Sequence, residues 1–363
     1  MNTMIRYLLV SLILLLGYLA YGQKEVDISK ERKYQFRQLL GSHPENVPLG
    51  VDTLEKVQIQ GGTRLKISFV SELPDTTFHT PIDRINAYLF VPDHKSGDRL
   101  PAIVAIHQDG PQAHIGKSEP AGLAGADDMH YGLELFQRGY VVICPDRFYH
   151  AERRRITGAD TAGTDWDRNS VMLSHWTGQL LLQGRNPTGK EAYDLSRSVD
   201  VLHQLEVVDT SKIGAIGHSA GGAMLVYFMF LDERIKVGVS SCGFNEVINF
   251  YGENEAKKRG ADSAIPGLSK IGKGTDYLAL LAPRPILLTR GLWEWGMKGK
   301  WRQYSIDHVQ ETKDIVDYVK PAYHSTGYPE NIAAIYFEEA NGQHAFPPGV
   351  KRQAYEWLDR FLK

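Results

Sequence analysis

Gly217-His218-Ser219-Ala220-Gly221 fits G-x-S-x-G, and its surroundings give the pattern weight. The stretch KIGAI, which reads as a strand, leads into it, and the apolar stretch GGAMLVYFMF, which reads as a helix, leads out. At such a strand-to-helix turn a serine is held in a strained backbone with its Oγ presented beyond the strand, and the glycines let neighbouring backbone come close. The Ala220 N–H, at the start of the helix, can then donate to an oxygen that acquires negative charge. Serine needs a base to become a nucleophile. His344, in Gly342-Gln343-His344-Ala345-Phe346, lies between the last expected strand and the closing helix and is the candidate. His218 adjoins the serine but points the wrong way from the turn, and His107 reads as structural or as part of an oxyanion loop. The base in turn needs a carboxylate to fix its tautomer. Glu294 is the first carboxylate after the strand Ile286–Thr289; Glu246, after the preceding strand, is the alternative. A second oxyanion donor is expected in His107-Gln108-Asp109-Gly110, from the backbone N–H of Gln108 or Asp109.

The elements that must position these residues follow from hydrophobic period and punctuation. Ser29–Leu40 reads as a surface helix with Ser29 as N-cap and Gly41 as stop. Val57–Gln60, Arg64–Val70 and Ile85–Val91 read as strands, expected as antiparallel hairpins at one sheet edge. Then short apolar strands alternate with helices. The strands are Ala102–His107, Tyr140–Cys144, Ile213–Ile216, Val237–Ser240, Ile286–Thr289 and Ile332–Phe337. The helices are Asp127–Arg138, Glu191–Glu206, Gly221–Leu231, Asp276–Leu281 and Val350–Leu362. That alternation means an α/β fold: a mostly parallel sheet covered by helices on both faces. Arg147–Gly189 and Phe244–Thr275 interrupt the rhythm. Both follow the C-terminal ends of strands, where open α/β sheets bind ligands, and they read as insertions of lid or binding-loop type in a single domain, 23–363.

Composition bounds the rest. The 363 residues carry 41 Lys+Arg against 43 Asp+Glu, so no strong field draws the chain to nucleic acid or an anionic membrane. With 42% hydrophobic and 23% charged residues it reads as globular rather than disordered. Two cysteines exclude a disulfide scaffold and a Cys-rich zinc site; Cys144 and Cys242 each end an expected buried strand and read as separate thiols. Residues Tyr7–Gln23 carry no charge, Arg6 precedes them, and Ala20 and Gly22 stand at −3 and −1 of a cut before Gln23. This is a secretory signal pattern over residues 1–22, which places the mature chain outside the cytoplasm, secreted or periplasmic, without stable membrane insertion.

The runs PAIVAIHQDG, FQRGYVVICPDRF, VDTSKIGAIGHSAGG, LAPRPILLTRG and NGQHAF resemble the α/β-hydrolase superfamily, in its dienelactone-hydrolase-like and acetyl-xylan-esterase-like branch. The resemblance runs from about Ile85 to the C-terminus. It implies ester hydrolysis by a serine, an acid and a histidine, without a cofactor, on a small-molecule or carbohydrate ester. The chain order Ser219, Glu294, His344 is the order expected of that fold. This chain departs from the branch in three places: a serine where dienelactone hydrolases use cysteine, His107-Gln108 where His-Gly is usual, and glutamate where aspartate is common. The alternatives are a serine peptidase of the prolyl-oligopeptidase type and a non-catalytic binding protein. No repeat region is present to form the peptidase's propeller. Arg153-Arg154-Arg155 reads as a surface basic patch or as ion pairs to neighbouring loops, with grip on an anionic substrate as the sharper reading. Asp160, Asp165 and Asp167 only faintly suggest a calcium loop and read as solvated acids. Trp166, Trp176, Trp293, Trp295 and Trp301 would suit sugar rings or lid packing.

Overall fold

The protein is seen here as a computed structural model that describes residues 30–45, 47–109, 114–154, 165–251, 261–292, 294, 300–338 and 344–363, with backbone alone at 165–172 and 300–307. Helix α1 (30–39) stops at Gly41, whose φ of +82° suits glycine. Its N-cap Ser29, the signal pattern, Arg155, Asp160 and Trp293 and Trp295 lie outside the described residues, as do the side chains of Asp165, Trp166, Asp167 and Trp301.

Strands β1 (Asp52–Ile59), β2 (Gly62–Glu72) and β3 (Asp83–Pro92) form an antiparallel meander, as expected, and run longer than their apolar cores. Strand β4 (Leu100–Ile106) follows, then α2 (Tyr131–Gln137) and β5 (Val141–Pro145), which pairs antiparallel with β3. Beyond come α3 (Asp165–Leu182), α4 (Pro187–His203), β6 (Val208–His218), α5 (Ala220–Leu231) and β7 (Ile235–Ser241). Helices α6 (Leu268–Ile271) and α7 (Gly274–Ala279), β8 (Ile286–Gly291), α8 (Lys300–Ser325), β9 (Ile332–Phe337) and α9 (Pro348–Leu362) complete the chain. The described strands form one sheet in the order β1-β2-β3-β5-β4-β6-β7-β8-β9, parallel from β5 to β9.

Strands β4, β6 and β7 are apolar on both sides because helices cover both faces. Helices α4, α5 and α7 pack one face through Leu195, Val199, Leu225, Phe228 and Tyr277. Helices α2 and α9 pack the other through Leu135, Ala354 and Leu358, joined by Phe346 just before α9. Full burial of each such side chain stabilises by about 1.5–3 kcal/mol. Helix α5 is apolar all round and almost wholly buried, so β6 and α5 seat Ser219 at the edge of the buried core.

Three expectations are corrected. The stretch 147–189 holds α3 and the start of α4: the Asn186 side chain accepts the Gly189 N–H at 2.9 Å and Pro187 opens the helix, so α4 begins before the expected Glu191. Within 244–275 lie short helical turns and α6. Helix α8, 26 residues long, was not expected at all; its polar face and Pro321 hide the period. Of the two readings of Arg153, surface patch and ion pairing, the structure shows the second. Arg153 is buried on Asp83 at 2.7 Å and Asp194 at 2.8 Å, beside Lys190, because an isolated buried guanidinium would be costly. Cys144 and Cys242 are both buried and unpaired with one another.

Candidate active site

Ser219 sits between β6 and α5 with φ 53° and ψ −124°. A non-glycine residue there carries strain of about 1–3 kcal/mol, which the surroundings must impose. They do so through backbone hydrogen bonds: the Ser219 N–H donates to Ser241 O at 2.8 Å, and Ser219 O accepts from Ala223 N at 2.9 Å. The flanking glycines are demanded by contact. A Cβ on Gly217 would lie 2.5 Å from the Gly221 backbone, and one on Gly221 would lie 2.6 Å from His107 O and closer still to Ile106 O. The end of β4 is therefore pressed against the first turn of α5, with the carbonyls of Ile106 and His107 against Gly221.

That loop is pinned from below. His107 is fully buried; its Nδ1–H donates to Gln108 O at 2.6 Å and its Nε2 accepts the Arg147 N–H at 3.0 Å. Burial first, then His150 and Arg147 beside it, hold its pKa well below the ordinary value. Arg147 Nη1 donates to Asp109 Oδ1 at 2.7 Å, and its Nε pairs with Glu191. Burial works against ionising Asp109, yet Arg147 and His150 hold its carboxyl well below the usual range. The Asp109 side chain is thus spent on Arg147, and only its backbone remains for an oxyanion. Gln108 Nε2 donates to Glu119 Oε1 at 3.0 Å.

Glu294 and His344 meet across the ends of β8 and β9. Nδ1 of His344 lies 3.3 Å from Glu294 Oε2, and Glu294 Oε1 accepts the Gly291 N–H at 2.9 Å. Glu294 is 1% exposed. Burial favours its neutral form, but Arg290 and then His344 hold the carboxyl well below its ordinary pKa. His218 is buried behind this pair, its ring centroid 4.6 Å from that of His344 and its Nδ1 2.9 Å from Ser241 Oγ. Burial and His344 depress its pKa, so it serves as neutral packing. Asp128 Oδ2 accepts the Phe346 N–H at 3.3 Å and so ties down the segment that carries His344.

The structure does not bring Glu246 to the histidine. Its carboxylate accepts the N–H groups of Gly274 and Thr275, both at 2.8 Å, at the start of α7. A cavity of about 550 Å³ between α7 and α8 includes Glu246, Lys273, Glu311 and Tyr318; neither Ser219 nor His344 lines it. Donor atoms of Cys242, Glu294 and His344 lie within 4.8 Å of one another, a spacing that a metal could bridge, but Arg290 places a positive charge beside them. Trp176 packs edge-on to Phe148 at 6.2 Å.

Arg147, Asp128, Cys242 and Arg290 were missed as site residues. Arg290 alone had a sequence signal: a charge at the end of an otherwise apolar strand, four residues before the carboxylate.

The pattern of the prolyl oligopeptidase family matches residues 174–292. A Bacillus subtilis (strain 168) protein named "Putative hydrolase YtaP" is 28% identical over 265 residues, 72% of this chain and 80% of that one. A solved structure described as a "putative acetyl xylan esterase" from Bacteroides fragilis NCTC 9343 superposes with a TM-score of 0.63 at 18% identity, covering 91% of this chain and 81% of its own. A glucuronoyl esterase from Solibacter usitatus superposes with a TM-score of 0.59 at 14% identity, covering 92% of each chain. The strained Ser219 turn, the sheet order and these likenesses agree: the chain has an α/β-hydrolase fold, similar in architecture to the acetyl xylan esterase structure.

Proposed function

We propose that this chain is a serine carboxylic-ester hydrolase working through an acyl-enzyme. The observation that carries the reading is the strained Ser219 at the β6–α5 turn together with the buried Glu294–His344 pair. His344 takes the Ser219 proton as Oγ attacks the ester carbonyl, and Glu294 stabilises the imidazolium. The carbonyl oxygen, now negative, is held by the Ala220 N–H and by one from Gln108 or Asp109. The alcohol leaves with the proton from His344. Water, deprotonated by His344, then attacks the acyl-enzyme, and the acid departs. Both oxyanion donors lie on backbone that the Gly221 contact and Arg147 hold in place, so no reorganisation is needed as charge develops.

The structural likenesses to acetyl xylan and glucuronoyl esterases support a carbohydrate ester as the substrate class. Export with a cut before Gln23 belongs to the same reading. A second reading, a serine peptidase, is favoured by the prolyl oligopeptidase pattern over 174–292. Cleavage of p-nitrophenyl acetate compared with a prolyl amide separates the two. Ser219→Ala is expected to lower ester turnover by at least about 10⁴-fold with the fold retained. A fluorophosphonate adduct mapped by mass spectrometry to another serine would overturn the nucleophile.

A further inference from the structure

We infer that Arg290 is a positioning residue for the proposed hydrolysis: it keeps Glu294 aimed at His344 as a carboxylate and lets the pair resist protonation in mildly acidic solution. The inference rests on the ester-hydrolase reading above and adds a group that the Ser219, Glu294, His344 set does not contain.

The geometry fixes the cation firmly. Arg290 Nη1 lies 3.4 Å from Glu294 Oε2, the oxygen that faces His344 Nδ1. Its Nη2 donates to Phe244 O at 2.8 Å and to Asn245 Oδ1 at 3.1 Å, in the loop after β7. Its Nε donates to Thr312 Oγ1 at 3.0 Å, and that hydroxyl donates onward to His308 O at 2.9 Å within α8. Three elements therefore hold one guanidinium whose side chain is 2% exposed, so it cannot swing to solvent and water screens it little. A planar fork with five donors suits this task; a lysine could keep the charge but not all the contacts.

The effect on the pair follows from charge. Burial alone would favour a protonated Glu294, and a protonated carboxyl cannot accept and stabilise an imidazolium in the same way. A proton added to Glu294 or to the imidazole facing it adds positive charge near the fixed guanidinium, which opposes it. Among the described residues, the other groups facing the pair do not supply this opposition. His218 from β6 is neutral; Cys242, at the end of β7, has its thiol pushed well up by burial and by Glu294; His308 and Glu311 on α8 lie 3.3 Å apart; Asp128 holds the Phe346 N–H.

The test is the pH dependence of kcat/KM on p-nitrophenyl acetate for wild type, Arg290→Gln and Arg290→Lys. Arg290→Gln is expected to move the acid limb upward by about one pH unit or more, with KM little changed. Arg290→Lys is expected to lose kcat through the missing fork while its acid limb stays near wild type. An unmoved limb in Arg290→Gln, or the same limb in both variants, overturns the inference. Should Arg290→Gln not fold, Thr312→Val, which removes the hydroxyl orienting Nε but keeps the charge, is expected to behave like Arg290→Lys, losing kcat with its acid limb near wild type, and a displaced limb there overturns the inference. NMR titration of the histidine in Ser219→Ala protein, with and without Arg290→Gln, reads the shift without turnover. Failure of the reaction and failure of Arg290's role are thereby told apart.

Discussion

Glu294 and Glu246 show how two carboxylates after neighbouring strands come to different work. Glu294 faces an imidazole and a guanidinium; Glu246 faces the N–H groups that open α7. A carboxylate on otherwise unpaired N–H groups at a helix start contributes about 0.5–2 kcal/mol. Glu294→Gln is therefore expected to lower kcat by about 10²- to 10⁴-fold with KM little changed, because an amide can leave His344 in the wrong tautomer. Glu246→Gln is expected to leave kcat within a few-fold and to lower the melting temperature by a few degrees. Steady-state kinetics and thermal denaturation of both variants read the two effects, and a reversal between them would move the acid to the loop after β7. Ser219, His344 and Glu294 were legible because G-x-S-x-G, a late histidine and the first carboxylate after β8 follow from chain order alone. Arg147 and Asp128 were not, because their partners lie 38 and 218 positions away and only folding brings them together.

At the scale of elements, the turn depends on β4 and α5 touching without side chains between them. Gly221→Ala would drive a Cβ into the carbonyl oxygens of Ile106 and His107, both backbone, so the β4 end or the helix must shift. Overpacking of this kind costs about 1–3 kcal/mol. It also moves the oxyanion donors, and misplacement by about 1 Å can cost about 10²-fold in rate. Gly349→Ala in α9 is the control, since nothing lies within 4 Å of its Cβ position. It is expected to leave kcat unchanged and to raise stability by about 0.4–1 kcal/mol. Equal effects of the two substitutions on kcat would show that the contact does not position the site. The strands of the parallel sheet were legible in sequence because burial on both faces makes the central ones continuous apolar runs, as in β4 and β5, while the half-buried edge strand β9 keeps an apolar run whose bounds agree with the expectation. Helices α3 and α8 were not, because each offers the core only a narrow stripe among polar residues. Their helicity rests on packing rather than on local signals.

At the scale of the whole molecule, buried charge sets the pH window in which the fold is stable. On the acid side, burial works against Glu72, yet Lys190 and Arg185 bring its pKa down to about 2. A lowered carboxyl contributes stability above its unfolded value of about 4.3, and that contribution is lost as pH falls towards 2. Asp83 on Arg153 and Lys190 acts in the same sense. Glu119 acts in the opposite sense. Burial first, and the nearby Asp128 in addition, push its pKa up to about 7 against the lowering effect of the Gln108 side-chain hydrogen bond. The folded state then binds the Glu119 proton more tightly than the unfolded chain does. Its favourable contribution is complete below pH ~4.3 and is lost as pH rises through about 7. Glu119→Gln keeps an oxygen that can accept the Gln108 Nε2–H but has no charge to bury. The variant is expected to exceed wild type in stability by only about 1 kcal/mol at pH 5 and by up to about 3 kcal/mol at pH 8, because the folded Glu119 holds its proton up to about 7. Urea midpoints of both proteins at pH 5 and pH 8 measure the difference. A gain of equal size at the two pH values would mean that Glu119 is destabilising for a reason other than its proton, and a loss at pH 8 would mean that its ionised form is held by a cation.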